Sequence, residues 1–516
     1  LDPGQRYTAF APDFFNNAVY AIQPLPNGQL VIGGIIDALE GVTLNNIARL
    51  NADGSLDTSF NSGGAGFNGL VREIIAQADG SLLVGGEFTS YNETDCNRIV
   101  RLSADGALDT AFATAIGSAA DADVYTIVEE AAGTILVGGA FANFNGSPTE
   151  GLIRLTASGA LDTVNPLSLP FATSWDSRIR DLLLEPDGTL MAVGGFYIGS
   201  TGTGFRSGIA RLNHDGTRNA SFDPDAGFHS SASTSTLMTA YSIAREPDGS
   251  YLVGGFFSAY DENNVGNVVR IQSTGAIDPS FAADAHNDSV QVIDRQADSW
   301  VFTGGEFSTP AAHLARLNAA GSIDSGFTPA GGPSGTVYTL AKDDAGALFV
   351  GGNFFSYEGA TSRPIVKVAS GADPYSTWSE AYFSSAEIAA GDAASLMDPD
   401  NDGLVNLVEY AMGTHPGVED ANTLFGVAEN GISLASVDGE LYLQLTLNKS
   451  SDVPGAWYAA QFGSDLSNLL PVAPSRAANS IYKVVEDSAT TYTVRDNTPI
   501  STAARRFARV QLVLPE

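Results

Sequence analysis

The chain has 516 residues, enough for two or three cores, and carries 59 Asp and Glu against 25 Lys and Arg, a net charge of −34. So acidic a surface argues against nucleic acid and anionic membranes as partners. Charged residues make up only 16% of the chain beside 56 glycines and one cysteine, Cys96, which excludes an intrachain disulfide and a Cys-based metal centre and argues against a helix-rich enzyme.

The chain opens at Leu1 on "LDPGQRYTAF", without Met and without a basic-then-apolar leader, and reads as a mature or trimmed chain whose signal peptide is gone. Past it, a Gly-Gly pair after a short apolar run recurs seven times, from Gly33-Gly34 through Gly194-Gly195 to Gly351-Gly352, with a period near fifty residues. Within the first period "VYAIQ", "QLVIGG", "NIARL" and "SLDTSF" are strand-like runs separated by the turns "PNG" and "NADG". No apolar stripe of helical period persists in this region. The pattern predicts an all-β fold, a seven-bladed β-propeller over residues 1–371.

The second hairpin of each unit predicts a type I turn with a bulge, which pairs Asn51 with Ser55, Leu50 with Leu56 and Arg49 with Asp57. Facing charges across strands contribute about 0.2–1 kcal/mol. The same offset predicts the pairs Arg101–Asp109, Arg154–Asp162, Arg270–Asp278 and Arg316–Asp324, while Arg211 would meet Asn219. The last unit has Lys367 but no "LDxxF" after it, so Leu1 to Phe10 is expected to supply the missing outer strand, with Asp2 near Lys367.

"LDTSF", "LVGGEF", "IVRLSADGALD" and "IARLNADGSLD" resemble the bacterial delta-60 repeat over about residues 1–371. The resemblance implies a propeller and an extracellular address, and no reaction.

Residues 372–419 read as a helical linker, with a helix around Trp378 to Phe383, carrying "DPDNDGLVNLVE". This stretch satisfies D-x-[DN]-x-[DN]-G-x5-E, so Asp398, Asp400, Asp402, the Leu404 carbonyl, Asn406 and a bidentate Glu409 are expected to hold a structural Ca²⁺. It is similar to the calcium loops of dockerins and thrombospondin type 3 repeats, with "GTHP" closing it; a single unpaired loop favours a static ion. Residues 420–516 alternate at strand length and predict a small β-sandwich similar to the C-terminal tails of large secreted bacterial proteins.

The five histidines form no HxH, HExxH or HxxxH arrangement and no G-x-S-x-G occurs, so no catalytic site is assigned. The loop aromatics of "FFSAY", "NFFSY" and "GFYIG" are expected to pack between units rather than stack on sugars. The expected function is a secreted, non-catalytic structural or interaction protein of the bacterial surface, self-assembling or adhesive, with itself, other surface proteins or extracellular glycan as partner. A carbohydrate- or protein-binding module is the alternative, and a polysaccharide-acting enzyme the third reading.

Overall fold

The computed structural model describes residues 3–370, less 13, 16–17, 40–41, 131–132, 172–177, 199–205, 231–232, 284–285, 297–299, 328–330 and 344–345, together with six strands between 431 and 513. The chain divides into two compact units, Leu1–Asp373 and Pro374–Glu516.

The described residues of the first unit hold seven successive three-stranded antiparallel sheets, each in order inner, middle, outer. The first consists of Ala18–Pro24, Leu30–Ile35 and Ile47–Leu50. The other inner strands are Val71–Ala76, Val124–Glu129, Arg178–Leu184, Thr239–Arg245, Val290–Arg295 and Val337–Lys342. A single bridge past the turn adds the edge of a fourth strand, Leu50 to Leu56 in the first sheet. Gly54 takes φ 88° there, as the bulged type I turn requires. Asn51 N donates to Ser55 O at 2.8 Å and Asp57 N to Arg49 O at 2.9 Å, the predicted register.

Packing explains the glycine pairs. A Cβ on the first glycine would press the β-branched residue of the next sheet's inner strand, 2.7 Å from Val124 for Gly85 and 2.7 Å from Val290 for Gly254. A Cβ on the second would fall under 3.0 Å from a carbonyl at or just before the start of its own sheet's inner strand, Ala18 for Gly34 and Leu70 for Gly86. The fourth sheet departs from the expected alignment. Ile179 pairs with Gly194 and Asp181 with Val193, whereas Val19 pairs with Gly34 and Ala21 with Gly33. Gly194 therefore stands in the second position and Val193 in the first. The next inner strand carries Ala240 where its counterparts carry Val or Ile, and Val193 and Ala240 share one buried cluster.

The seventh sheet lies against the first: Tyr20 stacks on Tyr338 at 4.2 Å, and a Cβ on Gly351 would meet Val19 and Ile22. Residues 4–7 pair with the outer strand Ile365–Val368 and its end, Gly4 N donating to Ala369 O at 2.7 Å and Tyr7 N to Lys367 O at 2.8 Å. Phe10 meets Phe349 edge-on at 5.4 Å and Tyr357 donates to Gly4 O at 2.8 Å. Asp2 lies outside the described residues; Lys367 pairs with Asp343 at 2.6 Å.

Arg49–Asp57, Arg101–Asp109, Arg270–Asp278 and Arg316–Asp324 pair as predicted, Nε to carboxylate at 2.7–2.8 Å. Two predictions are corrected. Arg154 turns to Glu130 at 3.0 Å, and Asp162 instead accepts from Val164 N and Asn165 N. Each of the four arginines in the expected pairs also lies over a phenylalanine three residues past its aspartate, as Arg49 does over Phe60. The third sheet has Asn165 at that position and so gives Arg154 neither the ring nor the same seat. A cavity of about 360 Å³ lined by Arg154, Leu161 and Leu167 opens there. Arg211 likewise binds Asp187 and Thr189 rather than the Asn219 side chain, which bonds to Asn213.

In the second unit, Gly431–Val437, Glu440–Asn448, Thr491–Asp496 and Tyr482–Asp487 form a four-stranded antiparallel sheet. Trp457–Gly463 pairs with Phe507–Val513 over seven residues each.

Candidate functional site

Each inner strand carries one bulge, at the same place in every sheet. The register slips between Val19 and Ala21, Val71 and Glu73, Val124 and Thr126, Ile179 and Asp181, Ala240 and Ser242, Val290 and Val292, and Val337 and Thr339. The residue left over is Tyr20, Arg72, Tyr125, Arg180, Tyr241, Gln291 or Tyr338, and all seven line one central cavity of about 410 Å³. A bulge re-aims one side chain without ending the strand, so the repeat delivers seven side chains to one place.

Four phenols and two guanidiniums alternate round most of this belt. Arg72 lies 5.6 Å from the Tyr20 ring and 5.0 Å from that of Tyr125, and Arg180 lies 4.2 Å from Tyr125 and 5.5 Å from Tyr241. Such contacts contribute about 0.5–2 kcal/mol each as water is excluded. The two arginines differ in their charge balance. Arg72 Nε donates to Glu87 Oε1 at 2.9 Å, and Glu87 follows the Gly-Gly pair of the same sheet. Arg180 has no carboxylate partner among the described residues, and its Nε is buried with nothing to donate to. Desolvation lowers its pKa.

Beside the belt stand two acids. Burial, with the Asp181 charge added, pushes the Glu73 carboxyl up to about 8. Burial likewise raises Asp181 to about 6, against hydrogen bonds that favour its charged form. Asp181 Oδ2 accepts from Ile243 N at 2.9 Å, which ties the fourth sheet to the fifth, and Oδ1 accepts from Leu182 N at 2.8 Å. Asp181 is thus engaged as a strut, and Glu73 presents a neutral acid to the cavity at neutral pH.

Asp398, Asp400, Asp402, Leu404, Asn406 and Glu409, expected to hold calcium, lie outside the described residues, as does the helix expected around Trp378. Among the described residues no group of three His, Cys, Asp or Glu is placed to hold a metal ion. Of the singled-out loop aromatics, Phe196, Phe257, Tyr260, Phe354 and Tyr357 are buried, while Phe256 and Phe355 are 48% and 56% exposed. His229 and His286 are buried, and His214 stands beside Glu130 at 3.4 Å.

The sequence reading missed the belt, although a signal for it exists. "VYAI", "VREI", "VYTI", "IRDL", "AYSI", "VQVI" and "VYTL" each place one large polar residue second in an apolar strand. Such a residue in a buried strand needs somewhere polar to point.

No curated protein sequence matches this chain. Solved structures with a similar fold include the WD40 β-propeller domain of Doa1, at 12% identity and TM-score 0.45, covering 71% of this chain and 95% of that one. PorZ, a bacterial surface component of the type-IX secretion system of Porphyromonas gingivalis, matches at 15% identity and TM-score 0.42 over 70% of this chain and 48% of its own. A catalytically inactive virginiamycin B lyase from Staphylococcus aureus matches at 16% and 0.38, over 68% and 94%. No helix among the described residues is long and apolar enough to cross a membrane. Residues 25–60, 77–112, 133–163, 185–222, 246–281 and 296–327 match the family model described as "Domain of unknown function (DUF5122) beta-propeller". Each matched stretch begins past an inner strand, so none of the seven belt residues falls inside one. The chain is an all-β protein of propeller-like fold whose repeats match that family.

Proposed function

We propose that this chain is a non-catalytic binding protein of the bacterial exterior, whose propeller holds a small anionic ligand in its central cavity. The observation that carries the reading is Arg180, a guanidinium with a buried, unpartnered Nε facing a cavity of about 410 Å³. A buried guanidinium donor left without an acceptor is costly, and a ligand carboxylate or phosphate supplies one. The seven sheets are then the blades of one ring, residues 4–7 its closing strand, residues 398–409 a calcium-braced neck and the C-terminal strands a sandwich. The neck rests on its full calcium motif, and the exterior address on the delta-60 resemblance.

The test is a thermal-shift titration with acetate, sulfate and phosphate at constant ionic strength. Saturable stabilisation that disappears in Arg180→Gln supports the reading; identical curves for both proteins sink it. A sugar-cleaving enzyme is the second reading, favoured by one observation, the two carboxyl groups of Glu73 and Asp181 in the lining of one cavity. Release of reducing ends from an oligosaccharide, lost in Glu73→Gln, would establish it in place of the first.

A further inference from the structure

We infer that the ligand of the central cavity is a hydroxylated monocarboxylate, the chemistry of a sugar acid, with its carboxylate on Arg180 and its hydroxyls on the polar groups around the belt. The inference rests on the anion-site reading above and narrows it.

Charge sets the first limit. Arg72 is already neutralised by Glu87, which leaves Arg180 as the one cation among the lining residues without a partner. Glu73, Asp181 and Glu306 also line the cavity. One guanidinium in a cavity that three carboxyl groups also line, in a chain of net charge −34, suits at most a single negative charge. A phosphate dianion would meet more repulsion than it could balance. A guanidinium matches a carboxylate through paired N–H donors.

The tyrosine faces set the second limit. Tyr125 has a guanidinium on each side, Arg72 at 5.0 Å and Arg180 at 4.2 Å. Tyr20 is covered by Tyr338 at 4.2 Å and by Arg72 at 5.6 Å. Faces already stacked cannot sandwich a flat aromatic ligand, so these rings offer the cavity their edges and hydroxyls. Thr339 and the Gln291 amide oxygen, whose Nε2 already donates to Ser289 Oγ at 3.0 Å, add further polar groups to the same wall. A wall of many hydroxyls and few apolar faces is complementary to a polyol.

Size sets the third. A volume of about 410 Å³ lies near the lower end of small-molecule sites, roughly 300–1,000 Å³. It accommodates one sugar residue with ordered water, either a free sugar acid or the acidic end of a glycan. The belt lies outside the segments that match the family model.

The experiment is isothermal titration of the full chain with glucuronate, glucose, acetate and inorganic phosphate, with an oligosaccharide ending in glucuronate as a fifth probe. Glucuronate should bind saturably, at least tenfold tighter than glucose or acetate and tighter than phosphate. Arg180→Gln should abolish binding and Arg180→Lys retain part of it. Saturation-transfer NMR on the unmodified chain, with signal from the sugar protons, gives the same answer if the variants fold poorly. Tighter binding of the oligosaccharide assigns the glycan end as the source; equal or weaker binding assigns the free acid. Phosphate or acetate binding as tightly as glucuronate overturns the sugar-acid assignment and leaves the anion site standing. Glucose matching glucuronate overturns the role of Arg180, and no binding by any anion overturns both readings.

Discussion

Arg154 Nε donates to Glu130 Oε2 at 3.0 Å, and both side chains are nearly buried. In four other sheets the same arginine reaches forward to the aspartate eight residues on. Truncating one partner of a buried pair leaves the other charge without compensation, at a cost of about 3–5 kcal/mol. Glu130→Ala should therefore destabilise the protein more than Asp57→Ala, whose partner Arg49 is 13% exposed against 4% for Arg154. Denaturant melts of the two variants decide it. Asn165→Phe, which restores the ring missing from the third sheet, is expected to raise the melting temperature.

Val193 and Ala240 form a size exchange across two sheets. Ala240→Val alone adds volume against Val193 and should cost about 1–3 kcal/mol. Val193→Gly added to it restores the arrangement of the other sheets, with a favourable coupling of about 1 kcal/mol or more between the sites. A double-mutant cycle by chemical denaturation measures this coupling, and additive effects would show that the two positions do not share space.

Acid and alkaline stability should answer to different carboxyls. Asp57, hydrogen-bonded to Ser59 and paired with Arg49, is lowered from 3.8 to about 2 despite its partial burial. Its contribution is full above pH 3.8 and is lost as pH falls through 2. Glu73 has the opposite sign, raised from 4.5 to about 8. Between those values the folded chain keeps a proton that the unfolded chain releases, so stability falls as pH rises through that window and levels off above it. Glu73→Gln should raise the melting temperature at pH 9 and leave it unchanged at pH 4.

The N-terminal segment predicts a simple deletion result. Removing residues 1–12 strips the outer edge of the seventh sheet and the Phe10–Phe349 contact, and burying one Phe is worth about 1.5–3 kcal/mol. A fall of several degrees in melting temperature is expected, and Tyr357→Phe, which loses only the bond to Gly4 O, should cost about 1 kcal/mol. An unchanged melt after deletion would mean that the pairing contributes nothing to stability.

Calcium at residues 398–409 is tested by titration. An extracellular-type loop binds at about 10⁻⁴–10⁻³ M. Isothermal titration with Ca²⁺ reads occupancy and light scattering reads any assembly it drives, each on the unmodified chain and on Glu409→Gln. Growth to large regular particles only with Ca²⁺ would support a surface building block; a calcium-independent monomer would leave the central cavity as the main point of interaction.

The all-β character and the repeat were legible because a turn, a glycine pair and a charge pair recur at fixed offsets. Local chemistry sets all three: Gly54 must take a positive φ, and Arg49 faces Asp57 because the turn places them so. The alignment of Gly194-Gly195 misled because two adjacent glycines look alike in sequence, and only strand register shows which one lies under the Arg178 carbonyl. Arg154 misled for another reason. Its partner Glu130 lies at the far end of its own sheet's inner strand, a contact no hairpin offset encodes. The belt was hidden because a bulge breaks the strict alternation by which inward and outward residues are read from a strand.

The pairing of residues 4–7 with the far end of the repeats also sets an order of events during biosynthesis. Gly4 is separated from Tyr357, whose hydroxyl it accepts from, by 353 residues. At roughly 5–20 residues per second a ribosome takes on the order of 20–70 s to make that span. For that time residues 4–7 have no edge to join, while each intervening sheet can fold beside the one before it. Joining residues 4–7 to the outer strand Ile365–Val368 is then the most non-local pairing of the first unit, the kind that loop-closure entropy makes slow to form.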